Sequence, residues 1–354
     1  MATDIKKMSP IEMLELLKGD NNSKVSETNK QNYEQVFEFM KGSNISDFTS
    51  KLDNFFDSNI TMLSLNQTPK TQDVGAKKSV QQYSAQGNNI DEKIGDSAQG
   101  NAADCWLLAT LNSLSYSAEG QKIIKDAIKD NGNGTRTVNM KGIGAGITVS
   151  DKELAEARKS GKYSSGDDDM LLMEIAFEKA MDKIKSGEIK TNSYIQGQAK
   201  DGDRSIDWGY SYDAMFLLTG KGTESVYYNR DHWSHDDKPW YSKEKIQRAL
   251  PWLADLCGNG LESVYDKLEK NPGGYCATIA FQGNEKEGKP VTVKDVNGKS
   301  VTLSNGNGGH MWSIKSVKGD KVTIVNPWDS SQEVTVSKKE IAKYVTGIET
   351  YKYN

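Results

Sequence analysis

Gln99-Gly100-Asn101-Ala102-Ala103-Asp104-Cys105-Trp106-Leu107-Leu108-Ala109 is the stretch on which the fold of this chain turns. After Cys105, residues Leu107, Leu108, Leu111 and Leu114 recur at helical spacing, which predicts a helix beginning at Cys105. The sulfur then sits in the first turn, beside backbone N–H groups without intrahelical partners, at the dipole end that favours thiolate. Gln99, six residues upstream, supplies an amide suited to stabilising an oxyanion. Cysteine is also among the most buried residue types, so this segment alone reads equally well as core.

Working outward, 354 residues exceed the usual single-domain size and allow two or three packed units. A hydrophobic content of 36% with 27% charged residues describes a soluble globular chain. No run approaches the roughly 18 apolar residues that would span a membrane. No apolar signal core follows the N-terminal Met1–Lys7, so the expectation is a cytosolic protein or one exported by another route. A net charge of -4 without a Lys/Arg block argues against nucleic acid as a partner. Cys105, Cys257 and Cys276 are odd in number and far apart, which excludes a disulfide framework and leaves at least one free thiol.

Ser9-Pro10-Ile11-Glu12 opens a capped helix, and helical patterns recur at about 27–41 and 47–57, so residues 1–60 read as a helical N-terminal region. Residues 61–95 are polar and read as a linker. Residues 96–220 read as a helical subdomain with helices at 105–116, 119–129, 151–159 behind a Ser150/Glu153 capping box, and 168–186. Asp167-Asp168-Asp169 caps the last of these. Residues 221–354 read as β-rich, with Asn297-Gly298 as one hairpin turn and a second hairpin over His310–Asn326. The fold class is therefore α+β.

Three histidines are available as a base. His232 and His235 lie in a polar run and read as solvated. For His310, a three-residue loop Val317-Lys318-Gly319 pairs Ser316 with Asp320 and, counting outward, His310 with Asn326 on an otherwise apolar face. A two-residue turn at Gly319-Asp320 would place them on opposite faces. An imidazole oriented by an amide oxygen is what a Cys/His pair needs, and Trp328 is placed to cover that bond from water.

Gln99-Gly100, Asp104-Cys105-Trp106, Gly309-His310 and Asn326-Pro327-Trp328 together resemble the calpain-type, papain-like cysteine proteases. Glu178-Lys179-Ala180 and Leu218-Thr219-Gly220 extend the resemblance over about residues 96–328. It implies a papain-like fold, an endopeptidase acting on protein or peptide substrates, Cys105 as nucleophile, His310 as base, Asn326 as orienter and Gln99 as oxyanion donor. It implies substrate contacts at Gly220, Gly222, Gly309 and Trp328. It also implies calcium positions at Asp96 and near Glu188, although Asp329-Ser330-Ser331-Gln332-Glu333 does not match the acidic pattern usual after Asn-Pro-Trp, so calcium is an open option and no cofactor is expected to be required. The chain is expected to carry the protease core only, with the N-terminal region as prosegment or docking module and the linker cut on activation. Ala103 stands where the family has glycine, which predicts strain if that position needs a positive φ. His310 follows Cys105 by 310 − 105 = 205 residues, more than the roughly 130–150 of papain. Two alternatives remain: an acyl transferase of transglutaminase or deamidase type, which would use aspartate as orienter, and a catalytically silent scaffold.

Overall fold

The computed structural model describes residues 90–200, 206–226, 261–282, 289–305, 309–342 and 344–353, all within one compact unit. The expected N-terminal helices, most of the linker, His232, His235 and Cys257 lie outside the described residues.

Helix α1 (Cys105–Ser115) is buried from Trp106 to Leu114 on every side, as an all-round apolar helix must be. Helix α2 (Ala118–Ala127) follows, capped by Ser117. The sequence predicts this helix to 129, but Ile128 turns to extended backbone at φ -88, ψ 132. The reason is tertiary: strands β1 (Ile128–Asp130), β2 (Thr135–Met140) and β3 (Ala145–Ser150) form an antiparallel sheet in which Ile128 faces Val138. The first subdomain is thus mixed rather than helical. Helix α3 (Asp151–Ser160) carries the Ser150/Glu153 capping box, and α4 (Asp168–Ser186) is capped by Asp167, which accepts from Met170 N at 2.7 Å. Helices α5 (Ser193–Lys200) and α6 (Ser211–Thr219) complete this part.

Strand β4 (Glu224–Val226), helix α7 (Leu261–Lys270), strands β5 (Tyr275–Gln282), β6 (Val291–Lys294), β7 (Ser300–Ser304), β8 (Gly309–Lys318), β9 (Lys321–Asn326) and β10 (Asp329–Ser337), helix α8 (Lys338–Ala342) and strand β11 (Val345–Lys352) follow. Strands β6 and β7 pair around Asn297-Gly298, with Gly298 at φ 81. The other six strands form one antiparallel sheet in the order β10-β9-β8-β5-β11-β4. Successive residues point to opposite faces. Cys276, Ala280 and Met311 therefore join the core around α1, while Ile279, Phe281, Trp312 and Ile314 join a second core with α7. The sheet is the shared wall that brings β8 against helix α1.

The β8–β9 hairpin reaches its end by a different route from the one expected. Lys318 pairs with Lys321, so the turn is the two-residue Gly319-Asp320, with Gly319 at φ 59. That turn alone would put His310 and Asn326 on opposite faces. A bulge at Lys315, between the pairs Ser316–Thr323 and Ile314–Ile324, inserts one residue and restores the phase. His310 and Asn326 become diagonal neighbours on one face instead of direct partners.

The end of the expected linker is not free chain. Asp169 accepts from Asp91 N at 2.9 Å and from Glu92 N at 3.1 Å, and Ile94 is buried. The Asp167–Asp169 run thus caps α4, ion-pairs Asp168 with Arg158 and anchors residues 91–95.

Candidate active site

The chain reaches α1 through a strip stitched on both sides. Gln99 N donates to Pro327 O at 2.9 Å, Ser330 N to Ser97 O at 2.9 Å and Ser97 N to Ser330 Oγ at 2.7 Å, which ties the strip to the turn after Asn326. Opposite, Ala98 and Ser165 exchange backbone bonds at 2.9 Å. A Cβ on Gly100 would come within 2.2 Å of Tyr163 O, so only glycine allows this approach.

Ala103 carries no strain, because the non-glycine residues with positive φ among those described are Glu92 and Trp208. Its N–H donates to Asp207 Oδ1 at 2.7 Å, and its carbonyl accepts from Trp208 N at 2.9 Å. Trp106 Nε1 donates to Ile206 O at 3.0 Å, and Gly209 lies so close to the Trp106 ring that a Cβ would stand 2.6 Å from it. Residues 206–209 therefore wall the turn that leads into Cys105, with Trp208 at φ 63 and 44% exposed. The sequence reading missed this wall; an aromatic-glycine pair, Trp208-Gly209, in a polar stretch was the available signal.

Cys105 is partly exposed, and its sulfur lies against the backbone of Met311, the residue after His310. Desolvation pushes the thiol up to about 12, outweighing the Met311, Trp106 and Cys105 backbone groups that favour thiolate, while nearby Asp104 opposes it. The backbone groups at the helix N-terminus thus act in the expected direction, and desolvation acts against them.

His310 is 5% exposed, and its Nε2 lies 2.8 Å from Asn326 Oδ1. The same oxygen accepts from Trp328 N at 3.0 Å, and two donors on it fix the amide's orientation. Nε2 then carries the proton, and Nδ1 is the basic nitrogen. Trp328 stacks on the imidazole with ring centroids 4.0 Å apart and planes at 21°.

Gln99 Nε2 donates to Ala102 O at 2.8 Å and to Asp104 Oδ1 at 3.0 Å, so both amide hydrogens are engaged within the turn. Gly309 begins β8 beside His310. Gly220 and Gly222 are placed elsewhere. Gly220 ends α6 at φ 79, and Gly222 packs under Tyr212, where a Cβ would stand 1.8 Å from the ring. Gly222 lines a groove of about 380 Å³ with Tyr275, Tyr351 and Lys352, at the opposite end of β5 from Phe281, the partner of His310. Six residues of strand separate the two ends, roughly 20 Å. Both glycines thus lie apart from the His310–Asn326 pair.

Glu188 ion-pairs with Lys183, Asp96 is exposed, and no three potential ligands converge among the described residues. No helix among the described residues is long and apolar enough to cross a membrane. No protein-family model and no curated protein sequence matches the chain.

Proposed function

We propose that this chain is a cysteine endopeptidase of papain-like fold, similar to the calpain protease core. The observation that carries the reading is the His310 Nε2–Asn326 Oδ1 bond of 2.8 Å beneath Trp328, with Cys105 sulfur against the backbone of the adjacent Met311. Asn326 orients the imidazole and fixes its tautomer, so Nδ1 takes the Cys105 proton.

The thiolate attacks a peptide carbonyl, forming a C–S bond and an oxyanion held by the backbone N–H of Cys105 and the Gln99 amide. Gln99 keeps its bond to Asp104 and exchanges the one to Ala102 O for the oxyanion. Collapse breaks the C–N bond as His310 protonates the leaving amine. Water, deprotonated by His310, then hydrolyses the thioester. An acyl transferase of transglutaminase type is disfavoured by Asn326, since those enzymes orient the histidine with aspartate.

Labelling with a thiol-directed epoxide protease inhibitor tests the reading, with and without calcium, on wild type, Cys105→Ala and His310→Ala. The expected adduct is on Cys105 and is lost in both variants. Labelling at Cys257 or Cys276 instead would overturn it.

A further inference from the structure

Asp104 precedes the nucleophile and occupies the N-cap of α1, yet its side chain caps nothing there. It is fully buried, as is Glu174 on α4. Asp104 Oδ1 accepts the Gln99 amide at 3.0 Å. Glu174 accepts from Ser164 N at 3.0 Å and from Ser164 Oγ. Among the described residues Asp104 Oδ2 has no N–H or O–H donor, although the Glu174 carboxyl lies within hydrogen-bonding reach. Two ionised carboxylates cannot bond to each other, whereas a proton held between them would satisfy that oxygen.

We propose that Asp104 and Glu174 are positioning residues that share one proton, leaving Asp104 neutral beside the Cys105 thiol and its Oδ1 fixed as the acceptor that orients Gln99. The part concerning Gln99 rests on the endopeptidase reading; the shared proton does not. An N-cap aspartate would ordinarily be charged and would favour its helix. Here that charge would stand one residue from a forming thiolate and oppose it. Handing the proton to Asp104 moves the pair's negative charge to Glu174, where the Ser164 backbone and hydroxyl receive it.

The surrounding charges agree with this assignment. Desolvation is the largest influence on both groups, raising Asp104 well above the usual carboxylate range, with Glu174 adding to the rise. Asp207, beside the nucleophile's turn, acts on Asp104 in the same direction. Glu178, one turn along α4, opposes ionisation of Glu174 but is itself ion-paired to Lys162 and bonded by Tyr163. No ion pair reaches Asp104 or Glu174 among the described residues.

The test uses the full chain and follows alkylation of Cys105 by iodoacetamide against pH, read by mass spectrometry of its peptide. Asp104→Asn keeps both hydrogen bonds without a proton to lose, so its rate should stay within about threefold of wild type at neutral pH. It should exceed wild type at alkaline pH, where the pair ionises fully. Glu174→Gln offers an amide donor to Asp104, which lowers its pKa and moves the negative charge beside the thiol, so Cys105 should react several-fold more slowly at pH 7. A merely structural role predicts no such opposition of sign. An infrared difference spectrum, wild type minus Asp104→Asn at neutral pH, should show a protonated-carboxyl band, the contributions of Asp167 and Asp169 cancelling between the two proteins, and so reads the proton directly. Absence of that difference band, or an Asp104→Asn rate at alkaline pH no higher than wild type, would overturn the proposal. Peptide hydrolysis is measured separately: a chain that cleaves no peptide but shows the band and the opposed shifts keeps the shared proton and loses the endopeptidase reading.

Discussion

Trp328 lies flat on His310, 4.0 Å from ring to ring, while its own backbone N–H holds the Asn326 oxygen that orients the same imidazole. One residue thus shields the His310–Asn326 bond and fixes its acceptor. Replacing Trp328 by alanine removes the shield and leaves the backbone donor. Peptide turnover should fall about two- to tenfold, the equivalent of an aromatic contact worth roughly 0.5–1.5 kcal/mol, with phenylalanine restoring most of it. Equal activities for the alanine and phenylalanine variants would show that the stacking does not matter.

Asn326 itself should matter more than its cover. Asn326→Ala leaves His310 Nε2 without its 2.8 Å partner, and turnover should drop by roughly 10²-fold or more through loss of the tautomer, while substrate affinity changes little. Steady-state kinetics separate the two, and a rise in KM at constant kcat would contradict the orienting role.

Gly100 admits no side chain. Its Cβ would meet the Tyr163 carbonyl at 2.2 Å, a backbone atom that cannot swing away. Gly100→Ala should cost about 1–3 kcal/mol of stability and displace the strip that carries Gln99 and Asp104. Thermal melting reads the first effect, and Cys105 labelling of the folded fraction reads the second. A variant with unchanged melting temperature would show that the strip can shift at no cost.

Gly220 gives the contrasting case. At φ 79 it ends α6, so Gly220→Ala should cost about 1 kcal/mol, and the kcat/KM of folded protein should hold. A selective rise in KM would return this residue to the substrate site.

Burial raises Asp167 to about 6 and Asp169 to about 7, Asp91 acting in the same direction on both. The folded state therefore holds protons that the unfolded chain has released above about pH 4. The sign follows: these two groups make stability fall as pH rises from about 4 to 7. Asp169→Asn should flatten that slope, whatever its effect on the absolute melting temperature. Melting curves at intervals between pH 4 and 8 check it, and an unchanged slope would remove Asp169 from the account.

The sequence by itself determined the helix behind Cys105, the Ser150/Glu153 and Asp167 caps, the extent of α4 and the Asn297-Gly298 hairpin, because periodicity, capping and turn chemistry are local. It also placed His310 and Asn326 on one face, but through a register the molecule does not use. The Lys315 bulge has no signature in a single strand, since it exists only where two strands disagree in length. The tertiary structure alone decided that Ile128 leaves its helix to pair with Val138, and that Gly222 sits beneath Tyr212 far from His310. It alone brought Asp207 and Trp208 to Ala103, and Glu174 to Asp104, 70 residues apart in the chain. Burial is the reason in each case. Desolvation, close approach and the sharing of a proton depend on what surrounds a residue, and its neighbours in sequence do not specify that.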